Sequence, residues 1–403
     1  MCMGARRRVT YMDTQFLYLH RMSLVAIGLW PYHRTMLVQL QFYVFSLTMI
    51  SSIIFQLTTI LTTEWTIDFT VEILSTSLFH VMCLIMYHSF WINTQVIKRL
   101  LKNLQYICSE LKDENEIIII KRYGYIAKWL AIVFTLSMMG GLFVVTLLPI
   151  LPRIFGIFFL INDSMPYRNI YIRHEYFVDE EQYFYFILLH LYVSQFAAGG
   201  TLLGGAIVMT GYVTYFCGLF NIASYRIEKA MRINSDEVSN GKNKREIDKK
   251  ISHAVDIHRT ALECTEFCLY NFEGALCLII AIIVICLSLH LFGIFYAVGF
   301  VFRIETFVLH CGFLVGILTC SLGLNCVGQA ITDHYNYIFS SAYNLRWYIA
   351  SVRVQRLILI LLQTGTKPYS VKFSGFYTIS LESFASLSTA SISYFTVLYS
   401  IQK

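Results

Sequence analysis

Charge is what this chain has little of. Only 14% of its 403 residues are Asp, Glu, Lys or Arg, against about 25% in a soluble domain. Hydrophobic residues make up 57%, and the mean hydropathy is +0.59. A soluble chain of this length would be read as two or three domains. Repeated runs of about 20 apolar residues point instead to one membrane domain. Catalytic constellations are lacking too. The histidines at 80, 88, 190, 290 and 310 are scattered over different apolar runs. None forms a His-Glu-x-x-His pair or a nucleophile triad, so the pattern does not point to an enzyme. There is no phosphate-binding glycine loop, no basic arm and no nucleic-acid motif. Neither a cofactor nor a nucleic-acid partner is therefore expected. Cys264 and Cys268 lie one helical turn apart, but no matching His or Cys pair accompanies them, and no metal is expected. None of the eleven cysteines falls in a loop expected on the outer face, which fits reduced thiols. The N-terminal stretch lacks the charged, apolar and small-residue pattern of a cleaved signal peptide.

What is present is a series of apolar spans. They are expected at 37–61, 69–92, 125–148, 184–215, 269–301, 304–328 and 373–398. Leu17–Trp30 is weakly apolar and carries His20 and Arg21. It reads as an interfacial or re-entrant helix ending at Pro31. Spans four and five are expected to continue into the cytosol as helices on either side of a polar turn at 234–247. A further helix is expected from about Tyr343 to Leu362, stopped by Gly365 and Pro368. The chain thus divides into an N-terminal segment (1–36), six spans with their cytosolic extensions (37–328), a cytosolic helical region (329–372) and span seven (373–403). With the N-terminus inside, 25 Lys and Arg residues lie on the cytosolic side and 5 outside. That bias sets the orientation. It leaves Asn162-Asp163-Ser164, an N-glycosylation sequon, in the outer loop 149–183. The fold class is all-α: a seven-transmembrane-helix protein with a cytosolic N-terminus and a helical cytosolic region.

Span seven differs from the others in its serines. On a helix, Ser383, Ser386, Ala390, Ser393, Val397 and Ile401 fall on one stripe. A wet pore wall closed by an apolar ring has this pattern. Small residues that let helices pack closely in lipid have it as well.

Ser393-Tyr394-Phe395-Thr396-Val397-Leu398 resembles the closing signature of insect odorant receptors. Trp347-Tyr348 and Pro368 are similar to the stretch before the last helix of that family, and Gly28-Leu29-Trp30-Pro31-Tyr32 to its opening motif. The sister gustatory receptors close on a different pattern from Ser393-Tyr394 and Ser400-Ile401. A G-protein-coupled receptor would carry its N-terminus outside, an Asp-Arg-Tyr after span three and an Asn-Pro-x-x-Tyr in span seven. Both remain as alternatives to the odorant branch. The resemblance implies a ligand-gated, non-selective cation channel in the plasma membrane of a sensory neuron dendrite. It implies a heterotetramer with a shared odorant co-receptor, embedded in membrane lipid and opened by a small volatile apolar ligand. The short loop 216–268 resembles a ligand-tuning subunit rather than the co-receptor.

The resemblance also assigns roles. The stripe and the family's gate position agree on Val397, with Ile401 one turn further and Ser393 lining the pore below. The region 329–372 becomes the anchor where four subunits meet, with Trp347 and Tyr348 as assembly residues or as packing within their own subunit. The family places its ligand among the outer halves of spans two, three, four and six. This points to Phe79 and His80, to Met138, Met139 and Phe143, to Phe186, His190 and Val193, and to Phe307 and His310. Methionine and aromatic walls suit loose recognition, and the histidines offer polar handles.

Overall fold

Sequence and boundary chemistry build a helical bundle. The computed structural model describes residues 17–32, 34–64, 66–147, 174–179, 182–231, 241–299, 304–366, 369–373, 375 and 377–402. The sequon at Asn162 and the expected stop at Pro368 lie outside the described residues. The elements run α1 (Leu17–Ala26), α2 (Met36–Thr62), α3 (Ile67–Ile92), α4 (Thr94–Glu110), α5 (Glu114–Leu147), α6 (Phe184–Met231), α7 (Gly241–Gly299) and α8 (Ile304–Asn344). A 3₁₀ turn at Trp347–Ile349, α9 (Val352–Gly365), a hairpin β1 (Lys372–Phe373) and β2 (Tyr377–Thr378), and α10 (Leu381–Gln402) complete the chain. Among the described residues, seven helices are long and apolar enough to cross a membrane: α2, α3, α5, α6, α7, α8 and α10. They coincide with the seven expected spans, and the protein is a multi-pass membrane protein.

The differences from expectation lie at helix ends. The stretch 93–124 is mostly helical. Ile97, Leu100, Leu101 and Leu104 of α4 form a buried stripe, and α5 starts at Glu114, well before its apolar part. Helix α7 begins at Gly241, inside the stretch expected as a flexible turn. The expected helix through Trp347 is broken. Ser351 caps a new one, its hydroxyl accepting from Val354 N at 3.3 Å, which satisfies a donor that α9 cannot use internally. Span seven starts later than expected, at Leu381. The residues before it fold back through Gly375, whose φ of +74° suits a residue without a Cβ. Ser380 then caps α10, accepting from Ser383 N at 3.1 Å.

Helix α6 is the centre of the bundle. Its small residues let neighbours approach closely, as expected for the run from Gly199 to Gly205. A Cβ at Gly204 would lie 2.8 Å from Ile27 Cδ1, so α1 and its exit turn seat directly on the α6 backbone. That turn closes with Gly28 at φ +71°. Gly28 N donates to Val25 O at 3.1 Å and Leu29 N to Leu24 O at 2.8 Å, a Schellman end to the helix. Tyr87 of α3 donates to Ile27 O at 2.8 Å and ties a third element to the junction.

At the end of the bundle where α5 begins and α6 ends, the extensions of α5, α6 and α7 meet. Arg226 makes a bidentate pair with Glu116, Nε to Oε1 at 2.6 Å and Nη2 to Oε2 at 2.9 Å. Lys229 Nζ reaches Asp113 Oδ2 at 2.5 Å. That hydrogen bond holds the Asp113 carboxyl below its ordinary range.

Candidate ligand cavity and pore-lining helix

Four spans, α3, α5, α6 and α8, leave a small cavity of about 40 Å³ between them. That is room for a few water molecules, and a larger guest must part the helices around it. Phe79 of α3 and Met138, Leu142 and Val145 of α5 supply apolar wall. Leu202 of α6 and Phe313 of α8 close the far side, with Phe79 and Phe313 edge to face at 4.9 Å. Room comes from Gly141, Gly199, Gly312 and Gly316, which line the space without filling it. Two polar groups face it, Ser137 and Gln195. Gln195 lies 11 residues after the outer start of α6, about 16 Å down the helix, which puts it near mid-membrane.

The cavity thus sits between the four helices to which the family resemblance pointed. Phe79 and Met138 line it. The other eight residues expected there lie elsewhere. Met139, Phe143, Phe186 and Phe307 turn to the exposed surface of the bundle. Val193 is half-buried outside the lining. His80 is buried with Nδ1 on Thr76 O at 2.9 Å. His310 pairs with His290 of α7, Nδ1 to Nδ1 at 3.0 Å. His190 has both ring nitrogens engaged, Nε2 with Ser51 Oγ and Nδ1 with Tyr176 OH, each at 2.8 Å. It belongs to an outer junction in which Glu175 N also donates to Phe55 O at 2.9 Å. The polar contacts available to a bound molecule come instead from Ser137 and Gln195, which sequence reasoning passed over. One signal could have found Gln195: Gln195, Gly199 and Leu202 share one face at helical spacing, and that face carries the small residue.

Helix α10 has two unlike sides. Leu387 and Ser391 are buried, and Phe395 and Leu398 are half-buried against α7. Ser288 Oγ of α7 donates to Ser391 O at 3.0 Å, and Phe295 meets Phe395 at 4.7 Å between centroids. The other side has no partner among the described residues. Ser386, Thr389, Ser393, Val397 and Ile401 are exposed, the last two at 56% and 70%. Ser386, Thr389 and Ser393 donate to carbonyls four residues back, at 2.9–3.0 Å. Their oxygen lone pairs therefore face outward while their protons stay on the helix. Tyr394 is exposed as well.

The expected assembly residues separate. Trp347 is half-buried and packs on the core of its own chain, whereas Tyr348 is 63% exposed.

No curated protein matches the chain. The insect olfactory receptor OR5 from Machilis hrabei, solved in complex with eugenol, aligns with a TM-score of 0.78. The alignment covers 98% of this chain and 99% of that one at 15% identity. A second structure of the same receptor gives 0.78 over 97% and 98% at 14% identity. At that identity the likeness establishes the fold. Residues 66–392 match the family described as 7tm Odorant receptor, a receptor class and not an enzyme class. The chain belongs to the 7tm odorant receptor family.

Proposed function

We propose that this chain is the ligand-tuning subunit of an odorant-gated, non-selective cation channel in the plasma membrane of olfactory neurons. It works in a heterotetramer with a shared co-receptor. One observation carries the channel half of this reading. The hydroxyl-rich side of α10 is exposed in the single chain, although it belongs to a membrane span. A row of outward-facing oxygens is expensive against lipid and favourable against water and cations. Val397 and Ile401 would narrow the outer mouth, and Ser393 would line the conduit beneath. Exposed Tyr348 would reach a neighbouring subunit in the anchor.

The ligand half rests on the cavity. It lies between four spans, is mostly apolar and has few polar groups, which suits a small volatile molecule. The eugenol held by the structurally similar receptor is of that kind.

The test is current recording from cells expressing the chain with and without co-receptor. Odorant-evoked cation current that needs both subunits, and persists in excised patches without GTP, supports the reading. A response that requires GTP and proceeds without co-receptor overturns it in favour of a G-protein-coupled mechanism.

A further inference from the structure

We propose that the cavity selects neutral, compact molecules carrying a hydrogen-bond-accepting oxygen, such as ketones, over hydrocarbons of the same shape. The Gln195 carboxamide is the selecting group and the Ser137 hydroxyl assists it. This deepens the reading of the cavity as the odorant site and rests on it.

Two buried polar atoms carry the argument. Gln195 is 3% exposed, and its Nε2 has no hydrogen-bond partner in the protein. Ser137 Oγ is buried and unpartnered as well. Both residues line the cavity. The threonines of α5 and α6 bond their own helix, whereas Ser137, like Ser194 and Ser224, does not. Thr135, two residues away, donates to Ala131 O at 2.7 Å, and Thr201 of α6 donates to Ala197 O at 2.7 Å. A buried donor without a partner costs far more than a typical hydrogen bond contributes. Such a group is satisfied by whatever occupies the space beside it.

In the empty cavity that occupant is water. A ligand oxygen that displaces the water can restore its bond to Gln195; a hydrocarbon cannot. A ketone should therefore bind about tenfold more tightly than its alkene isostere. Charge is excluded by the same wall. None of the lining residues is ionisable, so a carboxylate or ammonium would be stranded without a counter-ion.

The experiment compares isosteres that differ only in C=O against C=CH2. Acetophenone is paired with α-methylstyrene, and methyl ketones such as 2-heptanone with alkenes such as 2-methyl-1-heptene. Binding is read as ligand-induced thermal stabilisation of the purified full chain, and gating as evoked current with co-receptor. The wild-type protein should prefer at least some ketones by about tenfold, and Gln195→Leu should bring that preference to within about twofold. The Gln195 nitrogen has no protein partner to lose, so the substitution removes no bond made by that atom. Ser137→Ala and Gln195→Asn give the same reading at reduced size should Gln195→Leu fail to express. A panel in which no ketone binds more tightly than its alkene overturns the proposal. So does an undiminished preference in the Gln195 and Ser137 variants. Selective binding without any evoked current supports the proposal and sinks the channel reading alone.

Discussion

Gly312→Leu tests whether the cavity sets ligand size. A Cβ built on Gly312 meets no atom within 4 Å, so the new side chain grows into open space without forcing the helices apart. Leucine adds four carbons, each taking about as much room as a water molecule, ~30 Å³. That is roughly 120 Å³ of new side chain at the wall of a cavity of about 40 Å³. A ligand that fills the wild-type space must overpack, at about 1–3 kcal/mol. That corresponds to roughly a 5- to 150-fold rise in the half-maximal concentration. Ligands shorter by about four carbons should be unaffected or gain, because the leucine supplies wall they otherwise lack. The assay is a dose–response series of methyl ketones of increasing length in cells expressing the co-receptor. Gly140→Leu is the matched control: Gly140 is exposed, has equal room, and does not line the cavity. An unmoved length cut-off in Gly312→Leu, with normal co-receptor-agonist current, would refute the assignment. An equal shift in Gly140→Leu would do the same.

Three further outcomes are expected. Val397→Ser should wet the narrow part of the conduit and raise resting current several-fold; unchanged leak and selectivity in whole-cell recordings would reject Val397 as gate. Tyr348→Ala should lower co-purification with co-receptor while leaving the melting temperature of the chain unaltered, whereas Trp347→Ala should lower the melting temperature, because only Trp347 packs on its own core. A tyrosine variant that co-purifies at wild-type yield would remove it from the interface. Asp113→Asn should cost about 0.5 kcal/mol at neutral pH, since the Lys229 pair is partly solvated. The folded Asp113 carboxyl is depressed, so its contribution is complete above the unfolded value of about 3.9 and is lost as pH falls below it. Melting curves of wild type and variant should therefore converge below about pH 4; a constant gap down to acid pH would contradict the pairing.

The spans were legible because length and the absence of charge suffice to place a helix in lipid. Their ends were less so, since they are set by single capping groups such as Ser351 and Ser380. Charge misled in the other direction. The Lys and Arg residues of 93–124 placed it among the cytosolic loops between spans, although Ile97, Leu100, Leu101 and Leu104 already stood at helical spacing. The cavity was harder for a physical reason. In a span, inward and lipid-facing sides are both apolar, so hydropathy does not distinguish Met138, which lines the cavity, from Met139, which faces out. Aromatics and histidines drew the eye to Phe186 and His190. Glycines were the better guide, because a gap between helices must be bordered by residues that leave it open.

Cavity and α10 share no lining residue, and although α8 touches α10 directly, a signal can also cross α7. A continuous set of contacts does so. Phe313 lines the cavity and stacks on His290 of α7, with centroids 5.3 Å apart and planes 13° from parallel. His290 is held to α8 by His310. Two residues earlier on α7, Ser288 bonds the α10 backbone at Ser391. A ligand that shifts Phe313 therefore presses on the helix segment that holds α10 by its packed edge. On the channel reading, a ligand opens the pore only as far as it binds the open arrangement of this chain of contacts more tightly than the closed one. Linkage requires the converse: whatever holds α10 open must raise affinity in the cavity by the same factor. The exposed side of α10 is where neighbouring subunits would exert that hold. The ligand affinity of the isolated chain and that of the assembled channel are then different quantities, separated by the free energy of the pore's own equilibrium.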